Sequence, residues 1–207
     1  MKLHTKTPFA QAVMTMLKRI ADTFPETLDA PVRVHVAGGA ATHFYTANRV
    51  SEDLDVEFWG RRVLVPQDLL VSYQDEAGQV RSVIFDINYN PTFALMQEDY
   101  PDRVVFLGNP FGDPRMEVFL LAPLDLAISK VARLSDNDRV DIAALAKEGL
   151  IESEALKQHA EEALSYYVGA KSQVAHNISQ VYKMIQDIEK DRPLQGNASD
   201  ESKHPSP

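Results

Sequence analysis

The 207-residue sequence contains no cysteine, which excludes disulfide bonds, thiolate zinc sites and cysteine nucleophiles. It also has no apolar run as long as a membrane-spanning helix. No continuous apolar segment follows Lys2 and Lys6, so the sequence predicts neither a secretory signal nor a membrane partner. Together these absences favour a cytoplasmic protein.

Positive charge is also scarce, because 21 lysines and arginines face 30 acidic residues and leave a net charge of -9. This balance argues against a surface that binds nucleic acid non-specifically. It does not exclude RNA as a substrate, since a short basic strip is enough for local contact. Arg61 and Arg62 are the best candidates for such a strip, and the alternative interpretation is a solvated turn.

The most informative segment begins with an apolar run, residues 32–37, which predicts a buried strand. The run ends at Gly38 and Gly39, and a short helix is expected over residues 40–47. Two glycines let the backbone turn sharply and approach a ligand closely. The free N–H groups and the positive dipole end of the helix then suit a phosphate group.

Three acidic residues follow in predicted strands. Asp53 and Asp55 share one face of a strand over residues 53–56, because side chains alternate along a strand. Asp86 lies in the middle of an apolar strand predicted over residues 83–89, where an unpartnered carboxylate is costly. Neighbouring carboxylates repel each other unless a cation lies between them. The three acids are therefore predicted to bind Mg²⁺ or Mn²⁺ in a two-metal site.

The pattern of two glycines, thirteen residues and then Asp-Leu-Asp-Val resembles the signature of the DNA polymerase beta-like nucleotidyltransferase superfamily. Residues 38–41 together with residues 49–55 are similar to the AbiEii/AbiGii-type toxin group and its small bacterial relatives of unknown function. Residues 125–130 and 138–145 also resemble that group. The resemblance covers residues 30–150 of the chain.

The resemblance implies a metal-dependent enzyme that moves a nucleoside monophosphate from an NTP to a hydroxyl group on RNA, a protein or a small molecule. It also implies the role of a toxin that acts beside an antitoxin partner. Asp53, Asp55 and Asp86 would be the catalytic residues and the metal ligands. The residues expected to bind the nucleotide are Gly38, Gly39, Thr42, Arg49, Ser51 and Lys130.

One position departs from the superfamily pattern. The superfamily usually has serine or threonine directly after the glycines, where the hydroxyl helps to hold a phosphate. This chain has Ala40 at that position and Thr42 two residues later. The departure concerns triphosphate binding and leaves the predicted metal site unchanged.

Lys130 has two interpretations. It falls at the edge of the apolar stripe of a helix predicted from Pro123 to residue 134, so its ammonium group either faces a cleft and the nucleotide phosphates or is partly exposed to solvent. In the next predicted helix, Asp138 and Asp141 either complement the helix dipole or anchor Lys130 or Arg133 through ion pairs. A structural role for these two acids is favoured over direct catalysis.

The pattern predicts an α+β fold with a mixed, mostly antiparallel sheet flanked by helices. An amphipathic helix is expected over residues 8–24 and a short helix over residues 67–73. We predict a nucleotidyltransferase-like domain at residues 1–150, a helical extension at 151–192 and a disordered tail at 193–207. The apolar stripe of the last helix must be buried on the catalytic domain, against an antitoxin or by self-association.

Two alternatives to an enzyme stay open. A non-catalytic nucleotide-binding or protein-interaction module that keeps the fold is favoured by Ala40 but not by the three acids. In the other alternative the acids are structural and the C-terminal helices bind a protein. Magnesium binding separates the enzyme from both alternatives, and turnover of a labelled NTP separates it from the first.

Overall fold

The computed structural model describes residues 1–59, 63, 65–66 and 69–192. The candidate strip at Arg61 and Arg62 and the predicted tail, residues 193–207, lie outside the described residues. Within the described ranges the chain forms six α-helices, seven strands and three short 3₁₀ helices, which confirms the predicted α+β class. No helix in these ranges combines the length and the apolar character needed to cross a membrane.

The strands form two sheets. The strands are β1 (Val32–Val36), β2 (Asp53–Leu54), β3 (Val56–Trp59), β4 (Leu70–Gln74), β5 (Val80–Phe85), β6 (Val105–Gly108) and β7 (Met116–Leu120). The first sheet has the order β3-β1-β7-β6 and the second has the order β2-β5-β4. The β1–β7 and β2–β5 pairs are parallel and the other three are antiparallel. The predicted mixed, mostly antiparallel sheet is therefore confirmed, although it is divided in two.

The helices follow the apolar patterns of the sequence. They are α1 (Pro8–Ala21), α2 (Gly38–Thr46), α3 (Pro123–Val131), α4 (Asp136–Lys147), α5 (Ser153–Tyr166) and α6 (Lys171–Asp191). The 3₁₀ helices span Pro91–Phe93, Tyr100–Asp102 and Pro110–Gly112. The predicted first helix is confirmed in α1, which begins with Thr7 as its N-cap and Pro8 in its first turn.

The two faces of the first sheet differ. Val32, Val34 and Val36 of β1 are buried and join one hydrophobic core with the buried residues of α1, α2 and α3. Arg33 and His35 alternate with them and therefore project from the opposite face. This opposite face continues onto β3 and β7 through the pairing of the strands.

The structure corrects three predicted elements. Residues 70–74 form β4 rather than part of a helix, because Val71 and Tyr73 face inward while Leu70 and Ser72 face outward. The strand predicted over residues 83–89 ends at residue 85, so Asp86 follows β5 instead of lying within it. The strand predicted over residues 53–56 is divided between the two sheets, with Asp55 at the junction between β2 and β3.

The C-terminal helix α6 buries its apolar stripe on the same chain. Val174, Ile178, Val181 and Ile185 are buried in the common core, and α6 packs against α3, α4 and α5. The stripe is therefore covered by the chain itself, as the first of the three predicted alternatives requires.

A buried asparagine attaches α6 to the helix that carries Lys130. The Asn177 side-chain amide donates hydrogen bonds to the backbone carbonyls of Val131 at 2.9 Å and Ala132 at 3.3 Å. These carbonyls belong to the C-terminal end of α3, where helix carbonyls lack intrahelical partners. The position of Lys130 thus depends partly on α6.

We expect Asn177→Ala to lower the free energy of unfolding by about 1–3 kcal/mol, because two carbonyls near the core lose their donor. Urea unfolding followed by circular dichroism measures the change. The control is Ser179→Ala, since Ser179 is exposed and bonds only within α6. An equal effect of the two substitutions would show that Asn177 does not anchor α3.

Candidate active site

A cleft of about 940 Å³ opens where the two sheets meet the first turns of α2 and α4 and the last turn of α3. Eight of the nine residues that the sequence assigned to the site line this cleft: Gly38, Gly39, Arg49, Ser51, Asp53, Asp55, Asp86 and Lys130. The fold thus brings together residues that span more than 90 positions of the chain.

The three acids form a compact cluster. One carboxylate oxygen from each of Asp53, Asp55 and Asp86 lies within 4.8 Å of those of the other two. β2 and β5 are parallel neighbours, and the Asp86 amide donates to the carbonyl of Leu54 at 3.1 Å, so the ends of the two strands lie side by side. The chain then passes from β2 to β3 through Asp55, which therefore also lies at the ends of these two strands.

The three carboxylates differ in their environments. The Ser51 hydroxyl donates to Asp53 at 2.6 Å, and the Asn88 backbone amide donates to Asp86 at 2.8 Å. Burial and the negative charges of Asp53 and Asp86 raise the pKa of Asp55 to about 6, although Lys130 and Arg133 act in the opposite direction. A nearby cation would therefore stabilise the charged form of Asp55.

Both glycines are required by close contacts. Gly38 has a φ of +59°, and a Cβ at this position would lie 1.8 Å from a carboxylate oxygen of Asp55. A Cβ on Gly39 would lie 2.8 Å from the Ser51 hydroxyl and 2.9 Å from a guanidinium nitrogen of Arg49. The glycines therefore let the site residues pack directly against the first turn of α2, which has no side-chain cap.

The opposite wall of the cleft carries positive charge. Asp141 is fully buried and accepts two hydrogen bonds from Arg49, at 2.7 and 2.8 Å, while its second oxygen lies 2.8 Å from the Lys130 ammonium. Arg133 donates to Asp138 at 2.8 Å, and Lys130 lies 3.9 Å from the same carboxylate. Three cations thus share two carboxylates, which leaves one positive charge uncompensated. The predicted anchoring of Lys130 and Arg133 by these acids is confirmed.

Two positions near the glycines point away from the cleft. Thr42 is 1% exposed, does not line the cleft, and donates its hydroxyl hydrogen bond to the Gly38 carbonyl at 3.1 Å. Ala40 is fully buried. The hydroxyl beside the glycine turn belongs instead to Ser51, which lines the cleft and was among the predicted nucleotide-binding residues.

The sequence reasoning missed Tyr89, Asn88 and Asn90, which line the cleft after Asp86. Burial, followed by the charges of Asp55 and Glu57, raises the pKa of the Tyr89 hydroxyl, so it stays protonated in the physiological range. In the sequence, only their position after the third acid pointed to the site. Asn and Tyr there indicate a turn, but they do not show that the turn faces the cleft.

The raised pKa of Asp55 predicts how stability changes with pH in a metal-free buffer. The folded protein binds the Asp55 proton more tightly than the unfolded chain, whose pKa is near 3.8, so the stability contribution of this group falls as pH rises from 4 to 6. In EDTA we expect Asp55→Asn to increase the free energy of unfolding at pH 7.5 by about 1–3 kcal/mol, and the gain to shrink at pH 4.

Urea unfolding at the two pH values measures this difference, and Glu76→Gln is the control because Glu76 is exposed and outside the cluster. A loss of stability in Asp55→Asn at pH 7.5 would contradict the repulsion described above.

Comparison with known proteins identifies a family for the chain. Residues 13–190 match the family described as nucleotidyltransferase of unknown function (DUF6036). The match supports the resemblance to nucleotidyltransferases, whereas the narrower resemblance to the AbiEii/AbiGii group stays a prediction. No curated protein matches the chain significantly, and no solved structure does. Because the match includes the glycines, the acid cluster, Lys130 and the C-terminal helices, the chain belongs to this nucleotidyltransferase-like family.

Proposed function

We propose that the protein transfers a nucleoside monophosphate from an NTP to a hydroxyl group in a reaction that depends on Mg²⁺ or Mn²⁺. The observation that carries the proposal is the cluster of three carboxylates, which faces the cationic wall of the same cleft in a member of a nucleotidyltransferase-like family. Neither the acid cluster nor the cationic wall alone would support this proposal, because acids bind metal in many proteins and cations bind many anions.

The donor set fits a hard divalent cation. Three carboxylate oxygens within 4.8 Å of one another are the ligands that Mg²⁺ prefers, and burial together with the charges of Asp53 and Asp86 raises the pKa of Asp55. Asp53 and Asp55 would hold both ions of a two-metal site, and Asp86 would hold one of them. Metal ions in such a site neutralise charge on the attacking and leaving oxygens.

The residues of the chain then supply binding and proton transfer. The first turn of α2, at Gly38 and Gly39, offers backbone N–H groups to the triphosphate. Arg49 and Lys130 face it with the positive charge that Asp141 leaves uncompensated. The acceptor oxygen forms a bond to the α-phosphorus, the bond from that phosphorus to pyrophosphate breaks, and the Asp86 carboxylate accepts the hydroxyl proton.

The absence of a hydroxyl at position 40 does not favour a non-catalytic module. The side chain of Ala40 is buried, so it does not lie in the cleft. Ser51 provides a hydroxyl beside Gly39 instead. The toxin role beside an antitoxin stays a prediction from the resemblance, because the contacts within the described residues concern this chain alone.

We expect Asp53→Asn, Asp55→Asn and Asp86→Asn each to lower transfer at least about a thousandfold, because each removes a ligand of the site that stabilises the transition state. The measurement is the incubation of the protein with each α-labelled NTP, Mg²⁺ and total cell RNA or protein, followed by detection of the labelled product. Glu76→Gln is the matched control, since its carboxylate lies outside the cluster.

Activity in wild type and Glu76→Gln that is lost in all three variants would support the proposal. Transfer that survives in Asp55→Asn, with the variant folded, would contradict it. Wild-type protein that turns over no NTP would favour the non-catalytic module.

A separate prediction concerns Lys130. Replacing it by alanine should weaken NTP binding by about 1.5–3 kcal/mol, because one charge-assisted contact is lost. Calorimetry with wild type, Lys130→Ala and the control Lys147→Ala measures this, since Lys147 is exposed in the last turn of α4. Melting temperatures are recorded in parallel because Lys130 is 95% buried beside Asp141. Equal affinities would restrict Lys130 to its structural ion pair.

A further inference from the structure

A row of four aromatic rings crosses the first sheet on the face opposite the core. It contains one ring from each strand, in the spatial order Trp59 of β3, His35 of β1, Phe119 of β7 and Phe106 of β6. Successive ring centroids are 5.3, 5.8 and 5.3 Å apart. The strand register places His35 beside Phe119 and Phe119 beside Phe106, so the row follows the pairing of the strands. We call these four residues the aromatic row.

The two ends of the aromatic row are open to solvent. Trp59 is 36% exposed and Phe106 is 54% exposed, whereas His35 is buried between the rings. The Arg33 guanidinium lies 4.6 Å from the centre of the Phe119 ring. Stacking from solvent is therefore confined to Trp59 and Phe106, because His35 is buried and the Arg33 guanidinium lies over Phe119.

The aromatic row lies next to the acid cluster. Asp55, Glu57 and Trp59 alternate along one strand edge, and Glu57 pairs with His35 in the register. A rise of about 3.3 Å per residue puts Trp59 about 13 Å along the chain from Asp55. A chain molecule that followed β3 with its terminal hydroxyl at the acids would place a preceding unit beside Trp59, at the near end of the row.

Several features define the chemistry of that molecule. Aromatic side chains on a four-stranded sheet stack against nucleobases, and each base has a face suited to such stacking. Arg33 provides a cation for a phosphate, and the Glu117 carboxylate on the same face is suited to accept a hydrogen bond from a ribose hydroxyl. Glu57 on that face already accepts a hydrogen bond from the Tyr100 hydroxyl at 2.6 Å. A single strand of RNA meets all these requirements, because its bases are unpaired and its sugars carry the 2′-hydroxyl.

We propose that the aromatic row binds the single-stranded 3′ end of an RNA acceptor and directs its terminal hydroxyl toward Asp53, Asp55 and Asp86. The direction of the strand rests on the proposed function, whereas RNA binding by the row does not. Stacking rather than charge provides the affinity, which agrees with the net charge of -9. With Arg33 as the phosphate contact, the slope of log affinity against log salt should be about -0.7, much shallower than for a basic groove.

Binding of a six-nucleotide RNA with a fluorescent 5′ label to the full chain, followed by fluorescence anisotropy, tests the proposal. We expect Phe106→Ala and Trp59→Ala each to weaken binding about fivefold or more, the effect of losing one stacked base. Phe106→Tyr should restore binding because it keeps the ring. Phe111→Ala is the matched control, since Phe111 is 61% exposed but belongs to the 3₁₀ helix that packs against α1.

Two results would overturn the proposal. If Phe106→Ala binds the RNA as tightly as Phe111→Ala does, the aromatic row does not bind RNA. A DNA oligonucleotide of the same sequence that binds as tightly as the RNA would overturn the assignment to RNA. Melting temperatures of all variants show that each is folded.

The test also separates this proposal from the proposed function. Glu76→Gln should bind the RNA like wild type, because Glu76 is exposed and lies outside both the aromatic row and the acid cluster. If wild type transfers no NMP but binds RNA, and the binding is weakened by Phe106→Ala, the proposed function is contradicted and the RNA-binding surface is supported. If wild type and Phe106→Ala transfer NMP to RNA with the same KM for the RNA, the proposed function is supported and the RNA-binding surface is contradicted.

Discussion

The pairing of Asp141 with Arg49 joins the two halves of the candidate site. A fully buried carboxylate is stable only with well-placed partners, and Asp141 obtains a bidentate pair with Arg49 and a third contact with Lys130. Arg49 follows the glycine motif in the chain, while Lys130 and Asp141 belong to α3 and α4. One carboxylate therefore holds the segment after α2 against two later helices.

On the other side of the cleft, acidic side chains are held close together. The contacts of Gly38 and Gly39 leave no room for a side chain, and the carboxylate of Asp55 is held against the first turn of α2 beside two other acids. The cationic wall is partly neutralised by buried acids, and Lys130 and Arg133 offset only part of the effects that raise the pKa of Asp55. Such opposed, unbalanced charges are what a negatively charged substrate and a divalent cation would bind together.

The sequence predicted the parts of this site that depend on local rules. The spacing of the glycines and acids, the alternation of the strands and the resemblance to nucleotidyltransferases together identified eight residues that the fold brings to one cleft, and the apolar stripe identified α6. It did not predict that the chain changes sheets between Asp53 and Asp55, because that break follows from pairing with β5 and β1, which are distant in sequence. Thr42 was misplaced because the rotation of a short helix depends on its packing. The aromatic row was also missed, since its four rings come from four separate strands.

The change of sheet at Asp55 has a mechanical consequence. Asp53 lies in the second sheet and Asp86 directly follows β5 of that sheet, whereas Asp55 directly precedes β3, the edge strand of the first. The spacing of the three carboxylates therefore depends on how the two sheets are oriented. Any opening that separated the two sheets would therefore change the distances among the three carboxylates. An ion bound by all three carboxylates would hold the two sheets together at their junction. Occupancy of the cluster would then slow amide hydrogen exchange in β2, β4 and β5, far beyond the residues that touch the ion.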